Sequence, residues 1–331
     1  MERFALAAAV VLGFALTAAL CSLFVPLRRV LERREQQQQP VQPEQPRPAP
    51  LRAPLWGGLC AAAGTVAAVG VGWLAACVGQ PELLGSEGRL MTRLLTALAG
   101  SLAFGAVGLA EDVARMRSPA ALGLRRDVRL LLEALAAAFV LLLLRAAGCL
   151  PRGLGVPGAG YVLLGSAMPF LWAVLMVTLA ECARIAERDE GTVCGAAFVA
   201  MLALMMVEAG LGVSGLAVLP AALAGALVAL GLWAFPPARL GAGCCGSLLA
   251  AGAIGCIPLS LDMTSLTVPL ALPFWAAGGL LAAQLLCAKR TGKPLRCWVK
   301  KHKMSPETVF LCSFALSAVG YVLALALLRW C

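Results

Sequence analysis

Gly105 to Glu133 reads GAVGLAEDVARMRSPAALGLRRDVRLLLE, and the rest of the chain is organised around this stretch. It leaves one apolar segment at the pair Glu111 and Asp112, passes through a basic loop, and enters the next apolar segment at Arg129. Ionisable groups beside a bilayer are costly, so their presence has to be accounted for. Two acids facing a strong cation across a short loop read as the rim of a site for a charged substrate.

Outward from that stretch the sequence excludes a soluble protein. Of 331 residues, 61% are hydrophobic and 13% charged, and the mean hydropathy is +0.87, values of a polytopic membrane protein. Apolar windows near the spanning length of about 20 residues fall at 4–26, 56–79, 90–110, 128–149, 160–180, 192–211, 213–235, 246–261, 265–287 and 308–329. They predict an all-α fold of about ten transmembrane helices in one membrane domain, 1–331, with the sixth and seventh nearly fused and the eighth short. The first window is followed by Arg28, Arg29, Arg33 and Arg34 with no small-residue cleavage site, and reads as an uncleaved anchor. Residues 35–52, with QQQQPVQPEQPRPAP at Gln36 to Pro50, are a Pro/Gln-rich tether expected to be disordered.

Lys and Arg concentrate in alternate loops. Those after helices one, three, five, seven and nine hold 20 of the 27 basic residues. The positive-inside rule makes these loops cytoplasmic and places both termini outside. The net charge of +10 is then mostly one face, suited to anionic headgroups or a phosphorylated substrate. No soluble domain carries that charge, so nucleic acid is not an expected partner. The 13 cysteines form no CxxC pair and lie mostly in apolar windows, which reads as helix packing and not as a zinc site or disulfide framework.

Three further loops carry polar groups. In Glu181 to Gly191, residues Glu181, Arg184 and Glu187 or Arg188 share a helical face, where their charges pair with one another or line a site. Gly243-Cys244-Cys245-Gly246-Ser247 opens a helix whose free N–H groups offer a phosphate seat. The loop Lys289 to Glu307 holds seven cations, Trp298 and the one histidine, His302. It lies on lipid headgroups or clamps phosphate.

In order and spacing these loops resemble the polyprenyl-phosphate N-acetylhexosamine-1-phosphate transferases, glycosyl transferase family 4, which includes phospho-N-acetylmuramoyl-pentapeptide transferase. The family's Thr-Pro-Thr-Met-Gly-Gly looks like Ala53 to Gly58, and its Gly-x-x-Asp-Asp like Gly108 to Asp112. Its Gly-Leu-x-x-x-x-Lys-Leu-Leu-x-Gln looks like Gly123 to Glu133, with Arg129 for Lys. Its Asn-x-x-Asn-x-x-Asp-Gly-x-Asp-Gly looks like Glu181 to Gly191. Its Asn-x-x-Pro-Ala-x-x-x-x-Gly-Asp-x-Gly-Ser-Leu looks like Ala234 to Leu248, with Cys244 for Asp, and its Gln-x7-Gly like Gln284 and Gly292. The resemblance implies ten helices with the active site on the cytoplasmic face of a bacterial plasma membrane. It also implies Mg²⁺ when active, a UDP-sugar and polyprenyl phosphate as substrates, and a homodimer. Carried over residue by residue, it implies catalytic roles for Glu111, Asp112, Arg129, Glu187 and His302, and substrate contacts from Arg184, Glu190, Gly246, Ser247, Lys300 and Lys301. The metal would fall to Asp112 and Glu187.

The glycines and prolines of the pattern are kept while its chemistry is not. A thiol at Cys244 is a soft ligand for Mg²⁺, which prefers hard oxygen donors. Glu111 and Glu187 shift their carboxylates by a methylene, and about 1 Å of misplacement can cost on the order of 10²-fold in rate. Two readings follow. In one, a divergent transferase moves an N-acetylhexosamine-1-phosphate from a UDP-sugar to polyprenyl phosphate, with the standard Mg²⁺-dependent activity impaired or lost. In the other, an inactive paralogue binds polyprenyl phosphate or scaffolds cell-envelope glycan enzymes, without a cofactor. A transporter is a third reading, against which Arg145, Glu208 and Asp262 all fall near segment ends rather than at the midplane.

Overall fold

A computed structural model describes residues 2–38, 56–79, 88–117, 123–151, 153–156, 160–187, 191–235, 238–291 and 305–330. Ten long helices account for most of them: α1 Glu2–Gln38, α2 Gly57–Gly79, α3 Gly88–Arg117, α4 Arg126–Ala146, α5 Ala167–Ala186, α6 Thr192–Gly210, α7 Ser214–Ala234, α8 Gly243–Ser260, α9 Leu272–Thr291 and α10 Pro306–Trp330. Among the described residues, eight helices are long and apolar enough to cross a membrane, or nine spans if a bent pair counts as one. The chain is an all-α polytopic membrane protein, as the windows predict. The α4 helix is not one of the eight, because Arg129, Glu133 and Arg145 interrupt its apolar run.

Five windows differ from the observed elements, the first because α1 runs on to Gln38. The window at 160–180 begins as a hairpin, not a helix: β1 Gly153–Val156 pairs antiparallel with β2 Gly160–Leu163, and α5 starts only at Ala167. GLGV and GYVL are rich in glycine and β-branched residues, and a helix there would cost about 1 kcal/mol per glycine relative to alanine. Tyr161 on β2 ties the hairpin to the end of α8, its hydroxyl donating to Asp262 at 3.2 Å. The third window extends to Arg117, so Glu111 and Asp112 are helical rather than part of a loop. An i,i+4 pair between Glu111 and Arg115 supports that added turn. The eighth begins at Gly243, not Gly246, because a carboxylate from another helix caps its first turn. The ninth is split, with Thr264–Leu270 bent 64° from Leu272–Ala283. Pro273 accounts for the break, since its ring removes a donor and clashes with the carbonyl four residues back.

The core is organised around α8, which is buried along its whole length and packs most extensively on α3, with α5, α2 and α6 around it. A second layer sets α1 against α7 and α2, and α6 joins α7 to α10. Small residues permit this spacing: a Cβ on Gly58 would collide with the Gly246 backbone. The α1 helix takes in the first glutamines of the Pro/Gln-rich stretch, while residues 39–55 lie outside the described residues.

Candidate functional site

The C-terminal ends of α3 and α5 and the N-terminal ends of α4 and α8 meet at one end of the bundle. Gly123, at φ 70°, lies in the connection that returns the chain from α3 to α4, in the left-handed region that favours glycine. The polar groups brought together there, side chains and backbone amides, come from positions up to 133 residues apart.

Asp112 takes the helix seat. Its Oδ1 accepts the Cys244 N–H at 3.0 Å and its Oδ2 accepts the Cys245 N–H at 2.9 Å. These are two of the four N–H groups that a helix start leaves without an internal partner. An anion placed there also meets the positive end of the helix dipole. The phosphate seat expected at Gly243 to Ser247 is therefore occupied by the chain's own carboxylate. Ser247 is buried inside α8, its hydroxyl donating to the Cys244 carbonyl at 3.1 Å, and Gly246 packs on Gly58.

Beside Asp112 runs a chain of alternating charge across three helices. Arg115 contacts Glu111 Oε1 at 2.6 Å, Arg129 reaches the same oxygen at 3.5 Å, and Arg129 Nε donates to Glu181 Oε1 at 2.7 Å. Glu181 Oε2 accepts from Arg184 Nη2 at 2.6 Å. Glu181 thus joins two guanidiniums, one with each oxygen. The pairing of Glu181 with Arg184 on one helical face is as the spacing predicts, and Arg129 does face Glu111 across the loop.

Several buried polar atoms of this cluster lack a hydrogen-bond partner: Glu111 Oε2, both carboxylate oxygens of Glu133 and Arg184 Nε. Glu133, one turn beyond Arg129, is fully buried within electrostatic reach of Glu111, Glu181 and Arg184. Sequence reasoning left Arg115 and Glu133 out of the site, and read Glu181 as paired on its own helix or lining a site without linking it to Arg129. Arg115 and Glu133 stand four residues from Glu111 and Arg129, a spacing that could have flagged them.

Glu187 ends α5, where its N–H donates to the Ala183 carbonyl at 3.0 Å, and it lies within electrostatic reach of Arg115 and Cys244. The expected contributions of Glu190, Lys300, Lys301 and His302 fall outside the described residues.

The described residues do not fit Mg²⁺, which requires several hard oxygen ligands in near-octahedral array. Both Asp112 oxygens are engaged by backbone N–H groups, and Glu111 Oε1 is shared by two guanidiniums. Residue 244 offers a buried thiol, and among the described residues no three His, Cys, Asp or Glu side chains are grouped to hold a metal ion.

No curated protein matches the sequence. The family model for glycosyl transferase family 4 matches residues 94–262, which takes in α3 from Leu94 onward, α4 to α8 and every member of the charged cluster. With half the chain matched, through the helices that build the site, the protein belongs to glycosyl transferase family 4.

Proposed function

We propose that this chain keeps the family's membrane fold but has lost the metal-dependent transfer of an N-acetylhexosamine-1-phosphate from a UDP-sugar, and serves as a binding or scaffold protein for polyprenyl phosphate. The observation that carries this reading is the Asp112 carboxylate bonded to the amides of Cys244 and Cys245. A carboxylate committed to a helix start is not free to coordinate, and the residue at 244 supplies no oxygen in its place. The Arg-Glu chain supports the same reading, because Glu111 and Glu181 are each held by two guanidiniums rather than left to coordinate a metal. Transfer chemistry of this kind depends on neutralising charge that develops on phosphoryl oxygens. The distribution of Lys and Arg supports an orientation with this end of the bundle facing the cytoplasm, and family membership supports a bacterial plasma membrane as its location.

The test is release of uridine monophosphate by the purified protein in lipid nanodiscs. Polyprenyl phosphate, Mg²⁺ or Mn²⁺, and UDP-N-acetylmuramoyl-pentapeptide or UDP-N-acetylglucosamine are supplied in turn. No release is expected from the unmodified chain. Metal-dependent release that disappears in Asp112→Asn would overturn the proposal and restore Asp112, Glu111 and Glu187 to catalytic roles.

A further inference from the structure

Two anion seats lie side by side in the cluster, and each is filled by a carboxylate of the chain itself. They differ in access. Asp112 is 1% exposed, whereas the Glu181 side chain is 23% exposed. Glu181 places one oxygen on Arg129 Nε and the other on Arg184 Nη2, the bridging arrangement that a phosphate oxyanion makes between two guanidiniums. Each guanidinium carries five donors. Arg129 spends its donors on two carboxylates, and Arg184 Nε is buried with no partner. Donor capacity therefore exceeds what Glu181 uses.

We propose that Glu181 is a displaceable internal stand-in for a phosphate monoanion or dianion, and that Arg129 and Arg184 bind such a group without a divalent metal. Arg115 flanks this seat through Glu111, so three guanidiniums are joined through two carboxylates, with Glu133 buried beside them. An incoming phosphate takes over the Arg129 and Arg184 contacts, and the released Glu181 carboxylate turns to solvent. Being planar and forked, guanidiniums suit this exchange better than an ammonium. The inference rests on the reading of the chain as a binding protein, and it deepens that reading by assigning a ligand class and a mode of entry.

The experiment measures binding with EDTA present throughout, by the shift in thermal unfolding midpoint of the full chain in nanodiscs. One arm titrates inorganic phosphate against phosphatidylcholine nanodiscs. The other replaces part of the phosphatidylcholine with phosphatidic acid, so the two arms separate a free phosphate from a lipid headgroup. Saturable stabilisation in either arm is expected. Glu181→Gln removes the internal competitor and tightens the apparent affinity about tenfold, and Arg184→Ala weakens it by a similar factor. Glu181→Gln keeps the side-chain shape, so the proposal stays testable if Arg184→Ala fails to fold. Stabilisation that needs added Mg²⁺, that Glu181→Gln leaves unchanged, or that is absent from both arms in both chains overturns the inference. Each of those results leaves the absence of nucleotide release intact. Nucleotide release, in turn, would overturn the loss of catalysis without removing the anion seat.

Discussion

Gly108 and Cys244 meet backbone against backbone: a Cβ at Gly108 would collide with the Cys244 carbonyl and the Cys245 amide. Gly108 stands one helical turn before Asp112, so the same face of α3 that offers the carboxylate also carries the gap that lets α8 approach it. Gly108→Ala is expected to push the helices apart and destabilise the protein by about 1–3 kcal/mol, the usual cost of overpacking. It should lower the thermal unfolding midpoint, and Gly70→Ala, with open space around it, should not.

Asp112 acts as a cap supplied from another helix. Asp112→Ala leaves two buried N–H groups unpaired at the start of α8, at a cost of about 1–3 kcal/mol. Asp112→Asn keeps an acceptor and loses the charge, so a smaller loss is expected. Cys244→Ala should cost less than either, because the bond comes from the backbone amide and not from the thiol. Denaturation midpoints of the three variants in one detergent give the ranking, and equal losses for Asp112→Ala and Cys244→Ala would contradict the assignment.

Arg129 joins two carboxylates from different helices, so its removal leaves both without their shared partner. Because Glu111 keeps Arg115 and Glu181 keeps Arg184, Arg129→Ala is expected to destabilise by about 1–3 kcal/mol. Adding Glu181→Ala should cost less than the sum of the two single changes, which a double-mutant cycle measures. Arg129→Lys keeps the charge but not the fork, and should fall between the natural residue and alanine.

Glu133 has the reverse expectation. Its two carboxylate oxygens are buried without a hydrogen bond, so an amide or an apolar side chain of similar size should be no worse. Glu133→Gln and Glu133→Met are expected to leave stability unchanged or raise it. A fall comparable to that of Arg129→Ala would show a partner that the geometry does not include.

Ten apolar windows became ten long helices because the bilayer imposes a length and a composition that sequence carries directly. The pairing of Glu181 with Arg184 was legible for a similar reason, since both lie on one helix at a fixed spacing. What the sequence did not carry was contact between distant segments. Nothing in Asp112 alone marks it as the cap of a helix that begins 131 residues later, and Arg129 and Glu181 lie 52 residues apart. Strand β2 was hidden because Gly160 to Leu163 runs into the apolar stretch of α5, while β1 lay between the predicted windows.

The α8 helix, surrounded on all sides by other helices, never meets a lipid tail. Its solvent is protein. That separates it from α1 and α10, which leave most of their spans unburied, with large apolar side chains such as Leu23 and Leu311 exposed. In α8 the choice of Gly, Ala, Cys or Leu is set by the shape of the neighbour at that height, so a change that a hydropathy scale scores as neutral can still be sterically intolerable. A lipid-dissolved carbene reagent should therefore modify α1 and α10 readily and leave α8 unmarked until the bundle itself comes apart.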